Sequence, residues 1–424
     1  MKLLQINQTF LNGGSTGRIV YDLLLTQERA GIDAFVVYGY NDGEANDSHA
    51  LCLQNNGLRR KLNILRTRLF DGHGFYNEFE TQVLLQKMEV FRPDVIHLHN
   101  IHNHYVHVGR LFDYIKKHQI PVVWTLHDCW PFTGHCAYFD YSHCNKWRTC
   151  CHDCPSLREY PPTWFFDRTT RNFRRKKEAF SGVNNLTIVT PSQWLADLTR
   201  ESFLKEYPVE VINNGVDTGI FNVSSKDIKE QLGISDKKML LAMATTFDRR
   251  KGTDYLQQIP GLLKENEVLV LVGLAEEQKK LFAQNKCIGL GRTNSVSELA
   301  AYYSSADVFI NPTLEDNFPT TNIEALACGT PVVTFNTGGS IESVLDEEHV
   351  VEEDGIKRTS VGMVVPQGDL SAMIAASREI INRGKESYAK ACREKAVRLY
   401  NKDIQYMKYV NLYNEVYRRN NGKA

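Results

Sequence analysis

Short, largely apolar runs alternate with amphipathic stretches of helical period along most of this chain, and that alternation constrains its fold more than any other feature. In the first half the runs are residues 2–7, 34–39, 94–99, 121–127 and 186–192. Between them, residues 16–31 place Ile19, Leu23, Leu24 and Ala30 near one helical face, and residues 108–118 do the same with Leu111, Phe112 and Ile115. Strands that are apolar throughout, rather than at every second position, must be buried on both faces. Such strands alternating with helices indicate an α/β fold built on parallel sheets. The second half repeats the scheme with runs at 239–245, 267–273, 286–291, 307–312, 331–336 and 362–366. Helices are expected at 253–264, interrupted by Pro260, at 295–306, at 321–329 and over a long 370–399 segment.

At 424 residues the chain exceeds one compact domain. The turn signal Asn213-Asn214-Gly215, followed by a polar stretch, places a boundary near residue 218. This gives domains at 1–218 and 219–400, with a tail at 401–424. Two such domains make a cleft where the carboxyl ends of their strands face each other, and ligands bind there. Lys plus Arg equals Asp plus Glu, 50 each, which disfavours a nucleic-acid partner. No run is long enough for a transmembrane helix or a secretory signal, so a cytoplasmic protein with reduced thiols is expected.

The richest segment is LEDNFPTTNIEALACGTPVV, residues 314–333. Its acidic pair Glu315 and Asp316 precedes a loop, and Thr320, Thr321 and Asn322 cap or begin a helix carrying Glu324. Unpaired N–H groups at a helix start suit phosphate, and a first-turn carboxylate can accept from ribose hydroxyls. The plainer reading is a helix N-terminus with ordinary acidic residues.

The segment resembles the signature of retaining GT-B glycosyltransferases of family 4, in which two acidic residues separated by seven others precede an EAxACGTPVV-like run. Asp316 and Glu324 have that spacing. The resemblance implies a GT-B fold: two Rossmann-like parallel-sheet domains facing a cleft, with the chain's last helix packing back on the first domain. It also implies that Asp316 contacts donor-sugar hydroxyls and Glu324 the nucleotide ribose, with Thr320 and Thr321 lining the loop. Asp316 stands where the family usually has Glu, although Glu315 is adjacent. Pro319 stands in place of Gly and removes one backbone donor.

In TTFDRRKGTDYL (245–256), Lys251-Gly252 fits the family's diphosphate-binding Lys-Gly pair, whereas Thr246 occupies the usual Arg position. Arg250, in preference to Arg249, is expected to supply that charge, because the leaving diphosphate gains negative charge in the transition state. The loop NGGSTGR (12–18) is neither a P-loop nor GxGxxG. A plain turn and a ligand loop are both open for it, and the resemblance favours Gly13 and Gly14 lining the cleft. His127, at the end of an apolar run in TLHDCWPFTGHC, corresponds to a histidine that approaches the donor sugar in similar enzymes. Arg292, beside Gly291, is expected near the base pocket. HLHNIHNHYVH (97–107) carries five histidines, but they spread over a strand end and a loop, so a metal site is not expected. His99 and His102 are placed on the acceptor side.

Six of the ten cysteines fall between Cys129 and Cys154. Cys136, Cys144, Cys151 and Cys154, spaced C-x7-C-x6-C-x2-C, suit a closed structural zinc site. His135, His143 and His152 are alternative ligands, and reduced packed cysteines are the competing reading. The insertion 129–155 resembles one in colanic-acid and exopolysaccharide glycosyltransferases. Two basic runs, 58–70 and 168–180, read either as solvated helix faces or as contacts with anionic lipid headgroups or a lipid diphosphate. Tyr406, Tyr409, Val410, Tyr413 and Tyr417 lie at helical spacing near the end.

The expectation is thus a retaining glycosyltransferase of surface polysaccharide biosynthesis. It would move a sugar from a nucleotide-diphosphate sugar to a glycan or lipid-linked acceptor, with cations in place of any catalytic metal. The other readings are a nucleotide-sugar 2-epimerase and a non-catalytic, zinc-stabilised binding protein.

Overall fold

The computed structural model describes residues 1–11, 14–40, 47–54, 57–345 and 350–422. The chain forms two compact units, Met1–Asn213 with Tyr406–Ala424, and Asn214–Gln405. From sequence the boundaries were set at 218 and 400.

The first unit carries β1 (Lys2–Asn7), β2 (Asp33–Tyr38), β3 (Ala50–Cys52), β4 (Val95–Leu98), β5 (Val122–Thr125), β6 (Leu186–Thr190) and β7 (Val209–Val211). They pair in the order β3-β2-β1-β4-β5-β6-β7, every pair parallel. Successive side chains of a strand point to opposite faces, and both faces are covered. Leu4, Val37, Ile96 and Trp124 face one buried cluster. Leu3, Val36, Val95 and Val123 face another, which the last helix completes with Tyr406, Tyr409 and Tyr413. That helix, Lys402–Asn421, is therefore packed into the first unit's core from Tyr406 onward.

The second unit carries β8 (Lys238–Met243), β9 (Glu267–Val272), β10 (Cys287–Leu290), β11 (Val308–Asn311), β12 (Val332–Phe335), β13 (Val351–Glu353), β14 (Ile356–Thr359) and β15 (Gly362–Val365). The order is β10-β9-β8-β11-β12-β15-β14-β13. Pairing is parallel until the β15-β14-β13 edge, which is antiparallel. Each sheet reverses its winding once, between β1 and β4 and between β8 and β11. In doubly wound sheets the loops at such a point form the ligand crevice.

Three strands escape a hydrophobic reading. β3 is apolar but only three residues long and half-buried, whereas β13 is exposed and the half-buried β14 is mostly polar, so neither strand of that hairpin shows an apolar run. The 253–264 helix is not continuous. A turn of α-helix at Thr253–Leu256 gives way to a 3-10 turn at Ile259–Leu262 containing Pro260, whose ring cannot continue the hydrogen-bond ladder. The 370–399 segment is two helices, Leu370–Arg383 and Glu386–Tyr400, parted at Gly384. Ala30 lies beyond the end of the first helix and is exposed.

Candidate active site

The loops after β8 and β11 meet at the second sheet's switch point. Lys251 and Asp316 form an ion pair there, their side chains 24% and 14% exposed. The loops are joined by backbone as well: Leu314 N–H donates to the Arg250 carbonyl at 2.7 Å, and the Thr313 hydroxyl to the same oxygen at 3.2 Å. The Arg250 guanidinium donates to the Glu315 carbonyl at 2.8 Å. Burial alone would raise the Asp316 carboxyl, but Lys251 and Arg250 outweigh it and hold it below the usual carboxylate range. Gly252 has φ 76°, and a Cβ there would run into the Pro312 carbonyl oxygen, so only glycine allows the two loops to approach.

Helix Thr320–Ala327 begins after Pro319, as the sequence suggested, with Thr320 and Thr321 half-buried in its first turn. Glu324 is 9% exposed and accepts from the Tyr303 hydroxyl at 2.9 Å. Asn322 does not cap. It is fully buried and locks the helix to the sheet, accepting from Asn311 at 2.8 Å and donating to the Ser343 hydroxyl at 2.9 Å. Glu315 is also fully buried, so Asp316 is the acid that meets Lys251. Arg292 is exposed and reaches the Thr245 carbonyl at 3.4 Å, in the loop after β8. The second unit thus gathers Lys251, Arg250 and Asp316, with Arg292 tied to the start of the same loop.

In the first unit His127 lies two residues past β5 and is partly buried. Its Nε2 meets His99 Nδ1 at 3.1 Å, and His99 Nε2 meets Gln5 Oε1 at 3.1 Å. The Gln5 oxygen can only accept, so His99 carries its proton on Nε2 and presents Nδ1 as acceptor to His127. Gln5 Nε2 donates to Gln27 Oε1 at 3.0 Å, and Gln27 Nε2 to the Tyr413 hydroxyl at 3.1 Å. Tyr413 donates to His97 Nδ1 at 2.7 Å, and His97 Nε2 to the Thr125 hydroxyl at 2.8 Å. A directed chain of hydrogen bonds therefore runs from His127 into the last helix. Burial pushes the His127 imidazole down to about 4, against the pull of Asp128. His99 is held well below its usual range, first by burial and then by His97 and His127.

His99 and His102 are each 1% exposed, so they support the site instead of lining it. His102 Nε2 bonds Asp128 Oδ2 at 2.8 Å, while Asp128 Oδ1 accepts from Trp130 N–H at 2.9 Å. The histidine run thus disperses into separate pairings. Gln5, Gln27 and Tyr303 carry no sequence signal, because each looks like an ordinary strand or helix residue until the chain folds, and Tyr413 stands out only for its helical spacing. Gly14 has φ 83° and opens the first helix, while Gly13 lies outside the described residues.

Cys136, Cys144, Cys151 and Cys154, with His135 and His152, line one cavity of about 10 Å³. Cys151 Sγ accepts from Gly134 N–H at 3.1 Å. His135 Nδ1 meets Asp71 Oδ1 at 2.6 Å, and its Nε2 is buried with no partner among the described residues. Among the described residues no group of three or more His, Cys, Asp or Glu side chains is arranged to hold a metal ion. The cysteines share a cavity without forming a ligand set.

A family model of Glycosyltransferase Family 4 matches residues 13–219, and one of group 1 glycosyl transferases matches residues 224–398. The chain belongs to the GT-B glycosyltransferases of family 4. This glycosyltransferase is 26% identical over 387 residues to the putative colanic acid biosynthesis glycosyl transferase WcaC of Escherichia coli (strain K12), covering 88% of this chain and 90% of that one. It is 29% identical over 166 residues to an alpha-monoglucosyldiacylglycerol synthase of Streptococcus pneumoniae, 34% of this chain and 36% of the relative. Among solved structures, sucrose-phosphate synthase from Thermosynechococcus elongatus superposes with a TM-score of 0.70 at 18% identity, covering 98% and 99% of the two chains. Anabaena HepE in complex with UDP-glucose gives 0.65 at 15% identity, covering 98% and 100%. These likenesses establish the fold. No helix among the described residues is long and apolar enough to cross a membrane.

Proposed function

We propose that this glycosyltransferase moves a sugar from a nucleoside diphosphate sugar to a glycan or lipid-linked acceptor of surface polysaccharide biosynthesis, with retention at the anomeric carbon. The observation that carries the reading is the Lys251–Asp316 pair, flanked by Arg250, at the second sheet's switch point. Two cations beside a sheet's ligand crevice suit a diphosphate whose charge grows as the glycosidic bond breaks. In this mechanism the acceptor oxygen attacks from the face the diphosphate leaves. The leaving phosphate takes the acceptor proton, and the sugar passes through an oxocarbenium-like state. Lys251 and Arg250 stabilise the departing diphosphate, Asp316 orients sugar hydroxyls, and Glu324 accepts from the ribose. Arg292, Thr320, Thr321 and Gly14 are assigned to the remaining donor contacts. His127, uncharged at neutral pH, is assigned to the reacting sugar through its imidazole edge.

A resident nucleotide-sugar ligand in HepE supports the choice of donor class. The structural-zinc proposal for Cys136, Cys144, Cys151 and Cys154 rests on their shared cavity alone. Metal analysis of the purified protein decides it, because a stoichiometry near zero leaves reduced, packed thiols. The catalytic reading is tested by incubating the protein with UDP-, GDP- and TDP-sugars plus glycan acceptors and following the product by proton NMR. Release of nucleoside diphosphate with an unchanged anomeric configuration is expected. An inverted product refutes retention, and an epimerised donor without transfer refutes the transferase mechanism.

A further inference from the structure

Helix Gly57–Phe70 has 14 residues, and only Thr67 is buried. A helix this short is marginal without a packed face, yet its leucines point to water. Leu58, Leu62 and Leu65 recur at the i, i+4, i+7 spacing of one stripe and are 69%, 57% and 45% exposed. A second exposed apolar segment packs on the C-terminal end of this helix. Trp164 N–H donates to the Arg68 carbonyl at 2.7 Å, and Phe166 stacks on Phe70 with ring centroids 5.6 Å apart. Trp164, Phe165 and Phe166 are themselves 45%, 71% and 50% exposed. Scattered apolar residues on a surface need no explanation, but a contiguous set marks a binding face.

The charge around this set is one-sided. The helix carries Arg59, Arg60, Lys61, Arg66 and Arg68 and no acidic residue, in a chain whose formal net charge is zero. Arg168 lies over both Phe70 and Phe166, at 5.4 and 5.8 Å. The two acids that adjoin the set in sequence are turned inward: buried Asp71 meets His135 Nδ1 at 2.6 Å and accepts from Arg168 N–H at 2.9 Å, and Asp167 accepts from the N–H and hydroxyl of Thr169 and from Cys154 N–H. Beside the aromatics an open pocket of about 430 Å³ is lined by Arg158, Pro162, Thr163, Trp164 and Phe165.

From this juxtaposition we propose that helix 57–70 and the 164–166 segment form a docking surface for an anionic lipid bilayer. The leucines and aromatics enter the acyl boundary and the arginines pair with headgroup phosphates. An apolar stripe flanked by cations is the composition of a helix that lies in a membrane interface, and aromatic rings settle at that depth. The other basic run behaves differently. Helix Thr169–Phe180 buries Phe173, Lys176, Ala179 and Phe180 against the protein. A second copy of the chain is a poorer occupant, because a two-fold contact would set the same cations against each other. The proposal adds a partner surface to the transferase reading, and its readout is independent of turnover.

The test is co-sedimentation of the full-length protein with phosphatidylcholine vesicles, with and without phosphatidylglycerol. Binding to the anionic vesicles alone, weakened by salt, is expected. The double variant Phe165→Ser/Phe166→Ser should weaken it at least about tenfold, and Arg66→Gln about fivefold. Both should remain folded by circular dichroism and melt only slightly lower, since Phe166 leaves its stack on Phe70 and Arg66 its place over Tyr76. Absence of binding, equal binding to neutral vesicles, or unaltered binding by both variants overturns the proposal. A concentration-dependent dimer that the double variant dissociates would assign the face to a second copy and overturn it too.

Discussion

Replacing Tyr413 by Phe removes one oxygen from the middle of the chain of hydrogen bonds behind His127. That oxygen accepts from Gln27 Nε2 at 3.1 Å and donates to His97 Nδ1 at 2.7 Å. All three side chains are fully buried, so neither orphaned group can turn to water. Each unsatisfied buried partner costs about 1–3 kcal/mol, and the loss is expected to be about 2–5 kcal/mol. For a unit of this size that corresponds to a fall of roughly 4–15 °C in its unfolding temperature. Scanning calorimetry is the appropriate assay, since the two units need not unfold together. The transition of the unit holding β1–β7 should move and the other stay. A variant melting within about 1 °C of the parent would show that the chain of bonds carries no stability, and would refute the reasoning.

Three further outcomes are expected. Lys251→Met should lower turnover by about two to three orders of magnitude and also lower the unfolding temperature, because it leaves the mostly buried Asp316 carboxylate without its ion-pair partner; near-normal turnover would dismiss the assigned role. Gly252→Ala should cost at least about 1–2 kcal/mol from the left-handed backbone alone and lower turnover by displacing the Pro312 loop; urea unfolding and an activity assay check both. Burial holds His127 at about 4 and His104 at about 3, and keeps His73, His97 and His99 well below the ordinary value. Between those values and about 6.5 the unfolded chain binds more protons, so stability is fully present above about 6.5 and lost as pH falls toward 4. Urea midpoints that do not change between about pH 7 and pH 5 would contradict this.

The sheets were legible because a strand buried on both faces writes itself as a nearly unbroken apolar run, as in β9, where the five residues after Glu267 are all apolar and buried. The switch-point loops were legible for a related reason. Lys251-Gly252 and Asp316 directly follow such runs, and the Gly252 backbone can be replaced by no other residue without a clash. What stayed hidden is what the fold brings together over long distances in sequence. Gln5 and His99 are 94 residues apart, and His97 and Tyr413 are 316 apart. A polar residue inside an apolar run carries no record of its partner. Asn322 shows the limit of a local reading: it lies in the first turn of the helix, one of the two readings its place allows, but nothing in the sequence records that its amide is spent on the interior.

The departures at Thr246 and Pro319 bear on how charge reaches the proposed diphosphate. Thr246 is exposed, so no cation projects from the position where relatives of this signature carry arginine. Arg250 is held differently: its side chain donates to the Glu315 carbonyl, and its own carbonyl receives Leu314 and Thr313. A carbonyl oxygen orients a guanidinium without neutralising it, so the positive charge of Arg250 still acts on Asp316. An arginine clamped in this way reorganises little when an anion arrives, which is the condition under which fixed charge lowers a barrier most. Pro319 removes one N–H at the start of helix 320–327, but its φ of −68° presets the backbone that leads into the first turn. On this reasoning the charge has moved from the residue after the strand to the end of the same loop. Arg250→Lys should then cost more turnover than Thr246→Arg restores, because a lysine lacks the rigid planar guanidinium that meets the Glu315 carbonyl through one N–H and leaves its other donors to the anion. Steady-state rates of the single and double variants decide it, and full rescue of Arg250→Lys by Thr246→Arg would show the two positions to be interchangeable.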